Sequence, residues 1–416
     1  MRRPRRLVRL LTFPVALAAL LAIAAPAAAV PGDWWQFGYT ATNTSFNPNE
    51  TTINEGNVAR LRVAAEHFPV LEQTGANAKV ATAAAVANGT AYVNAYDFET
   101  QATELLAYDP QTLAVRWRRS GVGCDGRSPT VHQGIVFLGG STCEHSTADG
   151  AVRAFDGATG APLWAYTGNE NVGSVTATGG VVYFSAISSL AESSNDLLAI
   201  DAVTGQERWH VHPADITGKP AVAGSRLYVK RPGVLEVRAS ATGALLRSVP
   251  VGEEAASRTA LVEPVVAGGV VYTYGLEAGV WKLFAVDAGS GSVRWKRALG
   301  GSPEAAKPAV AYGKVFVHRP GAVRAFDAAT GSRRWTTQVT GDNSPFPASP
   351  AVANGLVFVG LQQGIAAFRQ TGGALLWRSG TIEYGDPVVA HGAVYAPGFL
   401  TEGGGSVAVV RVFRLG

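Results

Sequence analysis

The stretch AFDAATGSRRW, residues 325–335, decides the fold because related copies of it recur along the chain. Asp327 and Thr330 can hydrogen-bond the backbone of a turn, and Gly331 supplies the positive φ that such a turn requires. Trp335, eight residues after the aspartate, then begins or lies in the next strand. Other copies are AYDPQTLAVRW (107–117), AFDGATGAPLW (154–164), AIDAVTGQERW (199–209), AVDAGSGSVRW (285–295) and the degraded VRASATGALLR (237–247) and AFRQTGGALLW (367–377).

A second motif, of the form P-x-V-x-x-G-x-V-(Y/F), alternates with the first. It reads PAVANGLVF at residues 350–358, where the step Asn354-Gly355 suits a two-residue hairpin turn between short apolar runs. Proline is tolerated at the first residue of a strand, so Pro350 marks where the first strand of the hairpin begins. The other seven copies begin at Ala84, Pro129, Val175, Pro220, Glu263, Pro308 and Pro387.

The two motifs together form a unit that repeats about every 43 residues. Each unit holds four short strands, which is the content of one propeller blade. The last unit supplies three strands before Gly416, so the segment at 57–64 is predicted to supply the fourth, because closing the ring removes an exposed sheet edge. The sequence therefore predicts an all-β fold, an eight-bladed β-propeller of four-stranded antiparallel blades closed by an N-terminal strand in the last blade.

The first 29 residues differ in composition from the rest and predict a secretory signal peptide. Five arginines precede an apolar stretch at 10–25, and Ala27-Ala28-Ala29 is a small-residue cleavage site. The competing interpretation is an uncleaved membrane anchor, which the shortness of the apolar run disfavours. We expect a secreted or extracytoplasmic protein without a lipid anchor, in which residues 30–416 form a single propeller and residues 30–57 form a lead-in segment.

The charge balance argues against nucleic-acid binding. The chain has 35 lysines and arginines against 31 acidic residues, and without the five arginines of the predicted signal peptide the basic count falls to 30. A nucleic-acid partner requires a basic face, which this balance does not favour. No later apolar segment approaches the length of a membrane span, so none is expected after residue 29.

The A-x-D-x-x-T-G-x-x-x-W unit resembles the tryptophan-docking repeat of quinoprotein-type propellers, known as pyrroloquinoline quinone (PQQ) repeats. The lead-in, with Trp34, Phe37-Gly38, Asn57-Val58 and Leu61, resembles that of quinoprotein alcohol dehydrogenases. The family includes dehydrogenases that bind PQQ and calcium on the propeller axis and scaffolds that bind no cofactor. The resemblance implies that six tryptophans pack between blades as structural residues: Trp117, Trp164, Trp209, Trp295, Trp335 and Trp377.

Several features of the dehydrogenases have no counterpart in this sequence. It has no pair of adjacent cysteines, its units are compact, and no residues match the calcium ligands and the base. The recurring aspartates are predicted to build turns. We therefore predict no catalytic residue, no metal site and no cofactor, in a monomeric binding or scaffold protein whose partner is an unknown protein or a small polar ligand. The alternative is a PQQ-dependent alcohol or sugar dehydrogenase that holds PQQ and calcium in a reduced pocket.

The residues before the strand prolines are the candidate ligand-binding set, because they should converge near one mouth of the central channel. Two lysines and two carboxylates there suit a small anionic or zwitterionic ligand. The other interpretation is a solvated ring whose charges neutralise one another. The candidate residues are Ser128, Lys219, Glu263, Lys307, Ser349 and Asp386.

Two further pairs of residues carry expectations. Cys124 and Cys143 flank the hairpin of the second unit, and an even pair in an exported protein predicts a structural disulfide. His210 and His212 place two imidazoles on one strand face. The sequence shows no third ligand beside them, so the pair does not by itself predict a metal site.

Overall fold

The computed structural model describes residues 32–67, 79–97, 103–122, 127–140, 152–166, 170–188, 195–212, 216–253, 263–300, 306–343, 347–380, 383–402 and 405–416. These residues form eight antiparallel blades around a central channel, as the repeat predicts. The innermost strands of successive blades contact one another, and the last blade contacts the first.

Blades 1 to 4 follow the chain, and their strands are given from the axis outward. Blade 1 contains Lys79–Ala81 and Ala85–Ala87 as a divided first strand, then Thr90–Asp97, Thr103–Tyr108 and Val115–Ser120. Blade 2 contains Thr130–His132, Ile135–Gly139, Val152–Asp156 and Pro162–Tyr166. Blade 3 contains Glu170–Val172 and Thr176–Thr178, then Val181–Ser188, Asn195–Asp201 and Glu207–Val211. Blade 4 contains Thr217–Ala223, Arg226–Arg231, Val234–Ala239 and Leu245–Pro250.

Blades 5 to 8 complete the ring. Blade 5 contains Val265–Ala267, Val270–Glu277, Val280–Asp287 and Val293–Ala298. Blade 6 contains Ala309–Ala311, Lys314–Arg319, Ala322–Asp327 and Arg333–Gln338. Blade 7 contains Ala351–Ala353, Leu356–Leu361, Gly364–Arg369 and Leu375–Arg378. Blade 8 contains Glu383–Tyr384 and Val388–Ala390, then Ala393–Glu402, Gly405–Leu415 and Leu61–His67.

The ring is closed by a strand from the N-terminal part of the chain, which confirms the predicted closure. Leu61–His67 pairs antiparallel with the last strand of the chain, from Leu61 opposite Leu415 to His67 opposite Val410. A single 3-10 turn, Val58–Arg60, precedes this strand. The closing strand therefore covers the outer edge of the last strand of the chain and completes blade 8.

The apolar core lies between neighbouring blades. One cluster joins Phe316 and Trp335 of blade 6 to Val352 and Phe368 of blade 7, and all four side chains are buried. The indole Nε1 of Trp335 donates to the carbonyl of Gln370 in the next blade at 3.0 Å. Four other tryptophans donate in the same way to the following blade: Trp117, Trp164, Trp209 and Trp295.

The aspartate of the repeat organises the turn that receives the tryptophan. In blade 6, Asp327 Oδ1 accepts from the backbone N–H groups of Ala329 and Thr330 at 3.1 and 2.8 Å. Its Oδ2 accepts from the Arg334 guanidinium at 2.6 Å, and this contact leads the interactions that lower the pKa of Asp327 to about 2. Gly331 ends the turn at φ +68, and the face it leaves bare receives the ring of Trp295. This aspartate therefore builds a turn.

The lead-in segment winds round the channel and contacts all eight blades. The inner strand of a blade has a free edge whose backbone groups need partners. The contacts, in blade order, are Trp34 with Val86 (2.6 and 2.8 Å), Val131 N to Trp35 O (2.7 Å), Ala177 N to Gln36 Oε1 (3.3 Å), Val222 N to Ala41 O (2.7 Å), Val266 N to Thr42 O (2.9 Å), Val310 N to Thr44 O (2.9 Å), Val352 N to Ser45 O (2.8 Å) and Asn47 Nδ2 to Val389 O (2.9 Å). The segment thus supplies hydrogen-bond partners to the innermost strands of all eight blades.

Some sequence predictions fall on residues outside the described ranges. The predicted signal peptide at 1–29 and both Cys124 and Cys143 are among them. The signal peptide and the disulfide therefore stay predictions. In the described part of the chain, no helix has the length and apolar character needed to cross a membrane.

Candidate functional site

Four charged residues at the starts of inner strands form the candidate site. Lys219, Glu263 and Lys307 precede the strand prolines of blades 4, 5 and 6, and Asp386 precedes that of blade 8. Proline holds the residue before it in an extended conformation, so these positions are equivalent from blade to blade. Lys219, Glu263 and Lys307 are only 2%, 9% and 5% exposed. These three side chains are therefore not solvated, whereas Asp386 is half-buried.

Both lysines reach the lead-in segment. The Lys219 ammonium donates to the carbonyl of Phe37 at 2.5 Å. The Lys307 ammonium donates to Ser45 Oγ at 2.5 Å and to the carbonyl of Asn43 at 3.2 Å. It also lies 5.1 Å from the centre of the Phe37 ring, within the range of a cation–π contact. The lysines therefore join the lead-in to blades 4 and 6. We call the group formed by Lys219, Glu263, Lys307 and Asp386 the channel floor.

The two carboxylates differ in how they are satisfied. Asp386 accepts a hydrogen bond from the backbone N–H of Ser349 in the neighbouring blade. Glu263 accepts a hydrogen bond from the backbone N–H of Lys219, but its Oε2 atom is buried and has no hydrogen-bond partner among the residues that the structure describes. A buried acceptor left unpaired costs about 1–3 kcal/mol. Glu263 is therefore the group in this cluster that has most to gain from a bound donor.

Burial governs the protonation of the cluster. It lowers the pKa of the Lys219 and Lys307 ammonium groups, and the Glu263 carboxylate partly offsets both shifts. It raises the pKa of the Glu263 and Asp386 carboxyls, against the attraction of Lys307. Each charged form therefore depends on its neighbours of opposite sign. The cluster holds positive and negative charge together in a poorly solvated place.

The two predicted serines occupy the corresponding positions of other blades. Ser349 is 7% exposed and belongs to the cluster through Asp386. Ser128 is half-buried at the start of blade 2. Lys307 acts electrostatically on both carboxylates, and Lys219 acts on Glu263, so the four charged residues influence one another. Sequence reasoning missed the lead-in groups that complete the cluster, the Phe37 carbonyl and the Ser45 hydroxyl.

The donor set of this cluster does not fit a quinone held by calcium. Calcium takes about six to eight oxygen ligands, mostly carboxylates and carbonyls. The carboxylates here are Glu263 and Asp386, and Lys307 acts electrostatically on both of them. A dication beside them would face the like charges of Lys307 and Lys219.

The eight blades, the docked tryptophans and the aspartate turns define a PQQ-repeat β-propeller. The chain belongs to the family described as outer membrane protein assembly factor BamB, which matches residues 62–231 and 232–410. A comparison with curated proteins gives no match.

Solved structures share the fold at low sequence identity. A europium-containing methanol dehydrogenase superposes with a TM-score of 0.72 at 14% identity, covering 93% of this chain and 98% of the other. The quinohemoprotein alcohol dehydrogenase of Comamonas testosteroni gives 0.71 at 16% identity, covering 95% and 82%. BamB of Moraxella catarrhalis gives 0.61 at 17% identity, covering 85% and 99%. At these identities the likeness shows the fold and leaves function to the site.

Proposed function

We propose that this protein is an exported, non-catalytic binding propeller whose channel floor takes a small zwitterionic molecule. The observation that carries the proposal is Glu263 Oε2, a buried acceptor with no partner in the described part of the chain, in a cluster that also holds two lysines. An amine of the ligand would satisfy this oxygen. The hydrogen bond would also hold Glu263 in its charged form, against the effect of burial.

The lysines supply the opposite end of the site. An ammonium group has three N–H donors, and the hydrogen bond from Lys219 to the Phe37 carbonyl uses one of them. Remaining donors of Lys219 and Lys307 would bind the carboxylate of the ligand. A molecule with an amine and a carboxylate a few bonds apart therefore complements the cluster without leaving either charge unpaired.

Three lines of argument support a binding role over catalysis. The donor set does not suit calcium, and without such a cation the quinone chemistry of the dehydrogenases lacks its electrostatic partner. The family to which the chain belongs is described as an outer membrane protein assembly factor, a name that indicates no catalysis. The composition of the first 29 residues favours export. A monomer is the expected state.

Calorimetry with zwitterionic probes tests this function on the chain from residue 30 onward. β-Alanine and γ-aminobutyrate should bind, whereas acetate and methylammonium, which carry one charge each, should bind at least about tenfold more weakly, a loss of about 1.4 kcal/mol. Replacement Glu263→Gln keeps the shape of the side chain and removes its charge. It should therefore weaken the binding of β-alanine and γ-aminobutyrate by a similar factor.

Glu277 offers a control variant for this test. It also contacts two lysines, Lys282 and Lys296, but it is a half-buried residue at the end of the second strand of blade 5. Glu277→Gln should leave binding unchanged. Absence of binding by every zwitterion, or equal binding by the Glu263 and Glu277 variants, would rule out the proposed site.

A further inference from the structure

The third and fourth strands of blade 3 bring a carboxylate to the two histidines that the sequence places on one face. Leu198 lies opposite His210 in the antiparallel pairing, so Asp196 falls opposite His212. Alternation along both strands then puts Asp196, His210 and His212 on the same side of the sheet. The missing third ligand is therefore supplied by the neighbouring strand.

The atoms of this group lie at distances typical of ligands around one ion. Asp196 Oδ1 is 2.6 Å from His212 Nδ1, and Asp196 Oδ2 is 3.2 Å from His210 Nε2. One potential ligand atom from each residue falls within 4.8 Å of the others. Tetrahedral zinc with bonds of about 2.0–2.1 Å separates neighbouring ligands by about 3.3 Å, so only small side-chain rotations are needed.

The surroundings of His210 also favour a metal ligand. Its Nε2 atom is buried and makes no hydrogen bond within the described residues, although Asp196 Oδ2 lies beside it. Its other ring nitrogen, Nδ1, lies 3.8 Å from the carboxylate of Glu207, which accepts a hydrogen bond from the Tyr166 hydroxyl. This separation is too long for a hydrogen bond, so Glu207 would have to move closer to hold the far side of a ligating imidazole.

Exposure gives an ion a route to the group. The His212 side chain is 71% exposed, whereas the Asp196 side chain is 8% exposed. The carboxylate is thus anchored in the blade and the second imidazole stands at the surface. Two imidazoles and one carboxylate are ligands that zinc and similar transition-metal ions prefer, and three protein ligands leave one position for water or an external donor.

We propose that Asp196, His210 and His212 form a binding site for a divalent transition-metal ion on the outer part of blade 3. The site shares no residue with the channel floor, so this proposal does not depend on the proposed function. Binding displaces the proton that His212 shares with Asp196 and requires both imidazoles to be neutral. The ion would join the third and fourth strands of the blade.

Zinc titration by calorimetry tests the site on the chain from residue 30 onward, freed of metal with a chelator and carrying no histidine tag. We expect saturable zinc binding and at least about tenfold weaker binding in His212→Ala and in Asp196→Asn, since each change removes one ligand. His212 is exposed and Asn matches Asp in shape, so both variants should fold, which thermal melting checks. X-ray absorption of the zinc complex should show nitrogen and oxygen ligands at about 2.0–2.1 Å with imidazole scattering.

A matched control is available in blade 8. His391 Nε2 lies 2.7 Å from Asp33 Oδ1, which makes a histidine–aspartate pair like that of His212 but outside the proposed site. His391→Gln should leave zinc affinity unchanged. Zinc binding of equal strength in the His212 and Asp196 variants, or no zinc binding by the unaltered protein up to millimolar concentration, would overturn the proposal.

Discussion

Deletion of residues 30–68 is expected to abolish folding of the ring. The deletion removes Leu61–His67, which supplies the outermost strand of blade 8, and the lead-in groups that bond to every inner strand. Each lost hydrogen bond is worth about 0.5–1.5 kcal/mol net, so together they approach the total stability of a typical domain, about 5–15 kcal/mol. The deleted chain should accumulate as aggregate, because its unpaired sheet edges are open to other molecules.

Two further shortened chains separate the contribution of the closing strand from that of the lead-in contacts. A chain that starts at residue 30 should fold normally. A chain that starts at residue 51 keeps the closing strand and loses the channel contacts, so it should stay soluble but melt well below the chain from residue 30. Cooperative melting of the 30–68 deletion within a few degrees of the chain from residue 30 would contradict the role assigned to the lead-in.

Replacement Trp295→Ala is expected to destabilise the protein by about 3–5 kcal/mol, the usual cost of truncating a large buried aromatic side chain. Trp295 is 7% exposed, packs 5.9 Å from the ring of Tyr272, and donates to the Ala328 carbonyl of the next blade. Its ring also covers Gly331, where a Cβ atom would lie 2.5 Å from it. Urea unfolding measures the effect: if the dependence of the unfolding free energy on urea concentration is unchanged, the shift in the midpoint gives the loss of stability.

Blade 4 provides the matched control for this substitution. Arg247 occupies the position of the docking tryptophan and covers Gly291 with its aliphatic stem, but the side chain is exposed. Arg247→Ala should therefore cost less than about 1 kcal/mol, since it removes only surface packing. Equal destabilisation by the two substitutions would show that the tryptophans do not dominate the contact between blades.

The blades could be predicted from the sequence because their signals are local. Asn354-Gly355 and Gly331 fix turns within a few residues of themselves, and the spacing between such turns sets the strand lengths. The positions of the docking tryptophans can be predicted in the same way, because each lies at a fixed distance after its turn. The eight blades and the closing strand were therefore within reach of the repeat alone, although the strand begins at Leu61, after a 3-10 turn.

The interior of the channel could not be predicted in the same way. Residues 34–47 have no periodicity that assigns them to a strand, and Asn43 and Ser45 adopt left-handed backbone conformations at φ +60 and +51. Their positions depend on eight inner strands that are far apart in sequence. The burial of Lys219 and Lys307 follows from that path.

The third metal ligand was also beyond local reasoning. Asp196 lies 14 residues before His210, on the preceding strand. Only the pairing register across the connecting turn, with its irregularity between Ala199 and Ile200, decides whether the carboxylate meets the imidazoles. A shift of one residue would have turned Asp196 to the opposite face.

Titration of the protein with PQQ in the presence of calcium, followed by dye-linked oxidation assays with alcohols and sugars, tests the central claim most directly. The account predicts no calcium-dependent binding and no turnover, because Lys307 acts electrostatically on both Glu263 and Asp386, and Lys219 acts on Glu263. Sub-micromolar, calcium-dependent binding of PQQ together with turnover of any alcohol or sugar would contradict it and identify a dehydrogenase.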